Sequence, residues 1–454
     1  MIKPQERQLL GLRNSCVLSY NEVTTLYCQN DASQSGGAQG GVGGASTTAT
    51  TEALPNYRLV SNGKKAYFVD ESGKPLGNTT DNSAIRTQQG FQAIKERFKL
   101  LDSARKILDG ERTQHCFYNR VDKNDGVGVT FNKFRNKANY TNVMRCANAW
   151  GCPVCAAIIS EHRKCEVKEA MDWWQKQGGS VLLLTLTVPH YSDTDIKQLK
   201  KDLKKAYSKF FKGVRASKDM FERWQIKHYI SCFEITHGTN GFHPHYHVLL
   251  FVPYSLGEQS LPGIKQDMYK VWKDCCLKAG LDEPSEKHGL DLQAGNKAGD
   301  YVAKWGLEEK EKNKWGLEHE MTKGHVKKGK KENRTPFDIL RSYTENENEA
   351  DANLFKLYYF AFKGTRQLNW SKGLKKLVSK AEEKTDQEIV EDTDNVAEML
   401  FKLDIEMWHA VRKQKKQGEL LVAVAEDQTL KKPMELIRQC LADQGLLKHP
   451  ITPT

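Results

Sequence analysis

A chain of 454 residues is long enough for two or three domains and at least one sizeable core. Its 69 Lys and Arg against 57 Asp and Glu leave a net charge of +12, a balance that suits a polyanionic partner, nucleic acid being the commonest. No run of about 18 apolar residues occurs, and the N-terminal MIKPQERQLLGLRNSC lacks the apolar core of a signal peptide. No membrane partner and a cytoplasmic location are therefore expected, with the 11 cysteines as thiols or metal ligands rather than disulfides.

Residues 32–52, ASQSGGAQGGVGGASTTATTE, bury too little apolar surface to order themselves and read as a flexible linker. Helical period follows over 90–110, where Phe91, Ile94, Phe98, Leu101, Ile107 and Leu108 favour one side. SVLLLTLTVPH (180–190) has strand length and ends at a proline. Residues 194–216 read as one amphipathic helix. IKHYISCFEITHG and HPHYHVLLFVP then form a hairpin, with Asn240-Gly241 as the turn signal. A helix over 264–279, a short strand in GLDLQAG and a helix from Asn296 complete the region. The order β-α-β-β-α-β points to an α+β fold with a ferredoxin-like antiparallel sheet. Residues 308–350 are densely charged and read as a solvated insertion, and 385–447 as several helices, one starting at Pro433.

GFHPHYHVLLFV sets His243, His245 and His247 at strict alternation, so all three project from one side of the strand. The run beyond is apolar on both sides, with Val248, Leu250 and Val252 assigned to the histidine face, and the strand is expected to be central. Imidazoles about 6–7 Å apart along a strand can converge on one ion. Glu234, on the partner strand, is the candidate third ligand. One histidine alone would need no more than an ordinary hydrogen bond. Three at period two beside a glutamate favour a divalent ion, Mg²⁺, Mn²⁺ or Zn²⁺. Which two of the three bind is open; His243 precedes Pro244 at the turn end.

Two further groups carry chemistry. GDYVAKWG puts Tyr301 and Lys304 on one face of the expected helix. A tyrosine is a poor nucleophile at its usual pKa of about 10, but it serves when a metal activates the electrophile and a cation such as Lys304 steadies the charge. Taken alone, the pair reads more simply as a packing tyrosine and a solvated lysine. RCANAWGCPVCAA supplies Cys146, Cys152 and Cys155, and a Cys-Pro-x-Cys turn is a frequent half-site for structural zinc. Cys116, in QHCFYNR, is the candidate fourth ligand by its upstream placement, with His115, His162 and Cys165 as rivals. Arg145, Arg163, Lys164 and Lys168 flank the cluster and read equally as phosphate contacts or as solvated charges.

FHPHYHVLL together with YVAKW resembles the rolling-circle replication initiators of plasmids, within the HUH endonuclease superfamily, whose His-hydrophobic-His motif maps onto His245-Tyr246-His247. LLLTLTVPH resembles that family's first motif, and GTRQLNWSKGLKK (364–376) a segment that follows the nuclease core. Related initiators also show a similar Cys…Cys…Cys-Pro-x-Cys arrangement before the first strand. The resemblance covers residues 112–377. It implies a nickase acting on single-stranded origin DNA. Tyr301 would attack a scissile phosphate, keep it as a 5′-phosphotyrosine and release a 3′-OH primer. Mg²⁺ or Mn²⁺ would be the ion and a host polymerase a partner; the C-terminal tail could recruit a host helicase, dimerise the protein or bind DNA. Relatives often carry a second tyrosine four residues on, where this chain has Trp305, so a single-tyrosine mechanism is expected. A glutamate that some relatives place four residues before the tyrosine is Lys297 here, with Asp300, Glu308 and Glu309 as the nearby acids.

The expected organisation is a flexible N-terminal region (1–52), a region with the cysteine zinc cluster (53–179), the nuclease core (180–307), a charged insertion (308–350), the end of the catalytic region (351–380) and a helical C-terminal tail (381–454). A transposase or mobilisation relaxase would share the same site. A zinc-stabilised DNA-binding protein that does not cut would explain the charge and the cysteines, but not the order of the histidine and tyrosine motifs.

Overall fold

The computed structural model describes residues 58–61, 66–69, 79–133, 135–253, 260–294, 333–379, 383–392 and 397–446. The linker at 32–52, Tyr301 and Lys304 lie outside them. The chain divides into two units, 1–93 and 94–454. In the first, β1 (Arg58–Ser61) pairs antiparallel with β2 (Ala66–Val69). A long helix, α1 (Thr79–Ile107), crosses the division.

The second unit continues with a 3₁₀ turn (Arg112–His115), β3 (Val127–Asn132), β4 (Lys137–Thr141) and α2 (Pro153–Gln175). Next come β5 (Ser180–Leu186), α3 (Ile196–Ser208), α4 (Arg215–Arg223), β6 (His228–Gly238), β7 (Gly241–Val252), α5 (Leu261–Leu277) and β8 (Leu290–Ala294). After the segment outside the description stand α6 (Pro336–Asn346), α7 (Glu349–Phe362), β9 (Leu368–Trp370), α8 (Leu374–Ser379) and α9 (Asp386–Glu391). The chain closes with β10 (Glu398–Leu403), α10 (Ile405–Lys413), α11 (Gln417–Glu426) and α12 (Lys431–Ala442).

The protein is α+β, and the largest sheet among the described residues is five-stranded, ordered β8-β5-β7-β6-β9, with every neighbouring pair antiparallel. β7 is central because apolar residues fill both of its sides. One face, with Leu184, Val248 and Leu250, packs against α3 and α5 through Leu199, Leu203 and Trp272. The other, with Leu183, Leu249 and Phe251, packs against α2 through Val167, Ala170 and Met171. Alternation from His247 therefore puts Leu249 and Phe251 on the histidine face, the reverse of the sequence-based assignment. Side chains two apart share a face, so the odd-numbered residues belong with the histidines.

The hairpin turn lies where expected, but its chemistry is specific. Gly238 pairs with Gly241 around a two-residue loop, and it is Gly241 that takes the left-handed backbone, at φ +84°. A Cβ there would also stand 3.2 Å from the Tyr191 carbonyl oxygen, so glycine is needed on both counts.

Three further expectations change. The single helix over 194–216 is two: α3 runs into a π turn (Lys209–Gly213), Val214 is extended, and α4 starts afresh. The break lets Phe210 point inward while Phe211 stacks on Phe221. The charged segment 308–350 is no insertion at its end, because Thr335 and Asp338 form a capping box for α6 and Phe337, Ile339 and Leu340 are buried. The tail is not purely helical. β10 joins β3 and β4 in a three-stranded antiparallel sheet, so residues 397–446 fold onto the region that carries the cysteine cluster. Tyr140 Oη donates to the Gln417 carbonyl at 2.8 Å, and Trp408 Nε1 to that of Tyr118 at 3.1 Å. Among the described residues, no helix is long and apolar enough to cross a membrane.

Candidate metal centres

The β6–β7 register sets Glu234 opposite His245 and Cys232 opposite His247, while β5 brings Thr185 to His247 from the other side. Cross-strand pairing therefore gathers side chains that are far apart in sequence. His245 Nε2 and His247 Nε2 lie 3.2 and 3.3 Å from the same Glu234 oxygen, Oε2. All three residues are buried. The far nitrogens are also engaged. His247 Nδ1 meets Thr185 Oγ1 at 3.1 Å, and His245 Nδ1 meets the His243 carbonyl at 3.1 Å. The His243 carbonyl can only accept, so His245 Nδ1 donates and its Nε2 presents a lone pair to the point that Glu234 faces, while the Thr185 hydroxyl fixes the orientation of the His247 ring, whose Nε2 faces the same point.

Burial pushes the Glu234 carboxyl up, but the His247 and His245 imidazoles outweigh it and hold the carboxyl well below the usual range. Its second oxygen, Oε1, is buried without a hydrogen-bond partner. A buried carboxylate oxygen with no proton donor calls for a cation. Two imidazoles and a carboxylate fit a divalent ion and leave coordination positions open.

His243 is placed differently. Its Nδ1 lies 3.3 Å from His190 Nδ1, and the two rings sit edge to face at 4.5 Å. Burial, together with the neighbouring histidines, pushes its pKa down to about 3. The group whose ligand atoms converge is Glu234, His245 and His247, without His243. Sequence reasoning misses Thr185 and His190. Their signal lies in LTLTVPH, but only the β5–β7 register shows what they touch.

The four cysteines converge as well. Sγ–Sγ separations are 3.5 Å for Cys116–Cys155, 3.7 Å for Cys146–Cys155 and 3.7 Å for Cys152–Cys116. A tetrahedral zinc with Zn–S near 2.3 Å requires sulfurs about 3.8 Å apart. Cys152 caps the N-terminus of α2, its sulfur accepting from the Cys155 amide, with Pro153 in the first turn. Burial pushes the Cys116 and Cys152 thiols well up, while hydrogen bonds from the other three hold Cys146 well down. Four buried thiolates cannot coexist without a cation to balance them, and the donor set fits zinc. The rivals stand apart: His115 is exposed, His162 faces Glu166 at 3.7 Å, and Cys165 is not in the group.

The basic residues flanking this cluster have internal roles. Arg145 donates to the Tyr140 and Val390 carbonyls, and Arg163 pairs with Glu166 at 3.0 Å and Asp386 at 3.2 Å. Lys164 and Lys168 pair with Glu161 and Asp172 along α2. They serve packing and helix surface rather than an outward basic patch.

The profile of the replication protein family matches residues 137–417. The chain belongs to that family. The match takes in Glu234, His243, His245, His247, Tyr301, Lys304, Cys146, Cys152 and Cys155, and leaves out Cys116. It bears out the resemblance carried by the motifs. Two curated replication proteins, each named "Protein rep", are similar. That of Streptomyces lividans is 26% identical over 297 residues, covering 52% of this chain and 64% of the relative. That of Lentilactobacillus hilgardii is 32% identical over 126 residues, covering 27% and 38%. The chain thus spans less than two thirds of either relative's length. No solved structure matches it.

Proposed function

We propose that this replication protein is a plasmid rolling-circle initiator that nicks single-stranded origin DNA through a tyrosine. The observation that carries the reading is the convergence of Glu234, His245 and His247 on one point of the central strand, in a chain whose family is that of replication proteins. We read the sheet as ferredoxin-like. The order β5-α-β6-β7-α5-β8 and the spatial order β8-β5-β7-β6 support a split β-α-β arrangement.

In this reading Glu234, His245 and His247 hold Mg²⁺ or Mn²⁺, and Cys116, Cys146, Cys152 and Cys155 hold a structural zinc. The divalent ion, when bound, polarises the scissile phosphate as a Lewis acid. Thr185 and the His243 carbonyl keep the two imidazoles aimed. Tyr301 supplies the attacking oxygen and becomes the 5′-phosphotyrosine, Lys304 offsets the developing charge, and the leaving 3′ oxygen becomes the primer. Reach permits this. Ala294, the end of β8, pairs with Leu182, three residues along β5 from Thr185, or about 10 Å. The seven residues from Ala294 to Tyr301 can span up to roughly 23 Å.

The test is covalent trapping. The full chain is incubated with Mn²⁺ and labelled single-stranded DNA from the element that encodes it, then run on a denaturing gel. A label-bearing protein band supports the reading. DNA binding with no such band under any divalent ion would overturn it.

The geometry also ranks the histidines. His247→Ala is expected to cut Mn²⁺-dependent cleavage by roughly 10²–10³-fold, the range for losing one fixed electrostatic group from an active site. His243→Ala should cost less than about tenfold, since its ring faces His190. Mn²⁺ titration calorimetry on both variants checks this, and equal losses would put His243 back among the ligands.

A further inference from the structure

We propose that the lysine ridge of α3, continued through the π turn into α4, is a docking surface for the phosphate backbone of duplex DNA; this rests on the DNA-nicking reading above. Between residues 197 and 218 there are nine Lys or Arg and one acid, Asp202. Seven of the nine are exposed: Lys197, Lys201, Lys204, Lys205, Lys212, Arg215 and Lys218. Opposite them Ile196, Leu199, Leu203 and Ala206 are buried, so packing fixes the helix with its basic side outward. Lys197, Lys201 and Lys204 stand at i, i+4 and i+7 and form one ridge. Asp202 is partly spent on Lys205, at 2.8 Å.

One lysine of α3 is used by the fold itself. Lys200 turns inward, its Nζ donating to the Ala361 carbonyl and to Thr365 Oγ1, over the Phe362 ring. Burial lowers its pKa first, and the like charges of Lys204 and Lys197 lower it further. Lys197, Lys201 and Lys204 stand within about 10 Å along the helix axis, and a polyanion laid along them would offset their mutual repulsion.

Two features select duplex over single strand. Single strands are held by aromatic side chains that stack on bases. Here the aromatics face inward: Tyr207 stacks on Tyr246, and Phe211 on Phe221. No aromatic between residues 197 and 218 is exposed, and duplex DNA carries one charge per about 1.7 Å against about 3.4 Å for one strand. The placement agrees. α3 covers the sheet face of Leu184, Val248 and Leu250, opposite the face that bears His245 and His247. Phosphates on α3 therefore belong to DNA other than the strand at the metal centre, as a duplex flanking a melted nick site would be.

The test combines Lys197→Gln, Lys201→Gln and Lys204→Gln in the full chain. Fluorescence anisotropy against salt is measured with a short duplex of arbitrary sequence and with the single strand of the same sequence. Because backbone contacts carry no sequence information, no origin is needed. Duplex affinity should fall at least about tenfold, and the slope of log K against log salt should lose about 2.7, at about 0.9 per contact. Single-strand affinity should change less than about threefold, with an unchanged melting temperature. An unchanged duplex slope overturns the surface, and an equal loss for both DNAs overturns its assignment to duplex. Covalent trapping on single-stranded DNA is run alongside with the same variant. If wild type traps nothing, the nicking reading fails, while the duplex comparison still decides the surface by itself.

Discussion

Tyr301→Phe is expected to abolish covalent capture of DNA while leaving binding intact. Phenylalanine keeps the ring and removes only the hydroxyl, so DNA contacts elsewhere should hold affinity within about threefold. The chemistry has no substitute. Removing the nucleophile of a preorganised site costs about 10⁶-fold in the best-studied hydrolytic case, and a loss beyond 10⁴-fold is invisible on a gel. Nor can the neighbours stand in, because position 305 is tryptophan. The phenol would matter because the centre proposed to activate its target is already built: two imidazoles held by Thr185 and a backbone carbonyl, and a carboxylate with one oxygen unengaged. The check is the trapping gel beside an anisotropy titration. A protein–DNA band that survives in the variant would move the nucleophile to another residue. Loss of both band and binding would mean that Tyr301 holds DNA or structure rather than attacking it.

Cys152→Ser is the second large effect, and it should fall on stability. Cys152 is fully buried, caps α2, and lies 3.7 Å from Cys116. Serine still caps a helix, so the cap alone would change little. If the cluster holds zinc as proposed, loss of the thiolate would release it, and since metal binding energy is folding energy in sites of this kind, a cost of about 4 kcal/mol or more is expected. The damage should spread, because the cysteine loop is tied to the C-terminal part of the chain. Arg145 reaches the Val390 carbonyl, and Asn148 Nδ2 donates to Tyr359 Oη at 3.1 Å. Zinc content by mass spectrometry and the denaturant midpoint test this together. A wild-type protein that folds stably with no zinc would end the claim.

Much of the histidine centre is legible in the amino-acid sequence. Period two in HPHYH has one physical reading on a strand, and the Asn-Gly signal locates the turn that brings Glu234 across from it. The apolar run after His247 announces a central strand, since only a strand covered on both sides is apolar on both. The order β-α-β-β-α-β follows from the same local signals. The family resemblance rests on two motifs in order, and the family match bears it out.

What sequence could not decide was which side chains meet. His243 has the same local credentials as His245 and His247, and only the fold shows that His190, 53 residues away, faces it. Thr185 is one more threonine in an apolar run until β5 pairs with β7. Cys116 stands out from its rivals only by placement, and the fold brings it within 3.5 Å of Cys155. The tail reads as helices because β10 is short and half exposed, and strands of that kind are specified by their partner, here β3, rather than by their own pattern. The sequence by itself determined the chemistry-bearing strand, its periodicity, its charge and its kinship, because these depend on near neighbours. The tertiary structure alone decided the ligand set, the aim of each imidazole and the joining of the tail to the cysteine region, because these depend on contacts between residues that chain order does not relate.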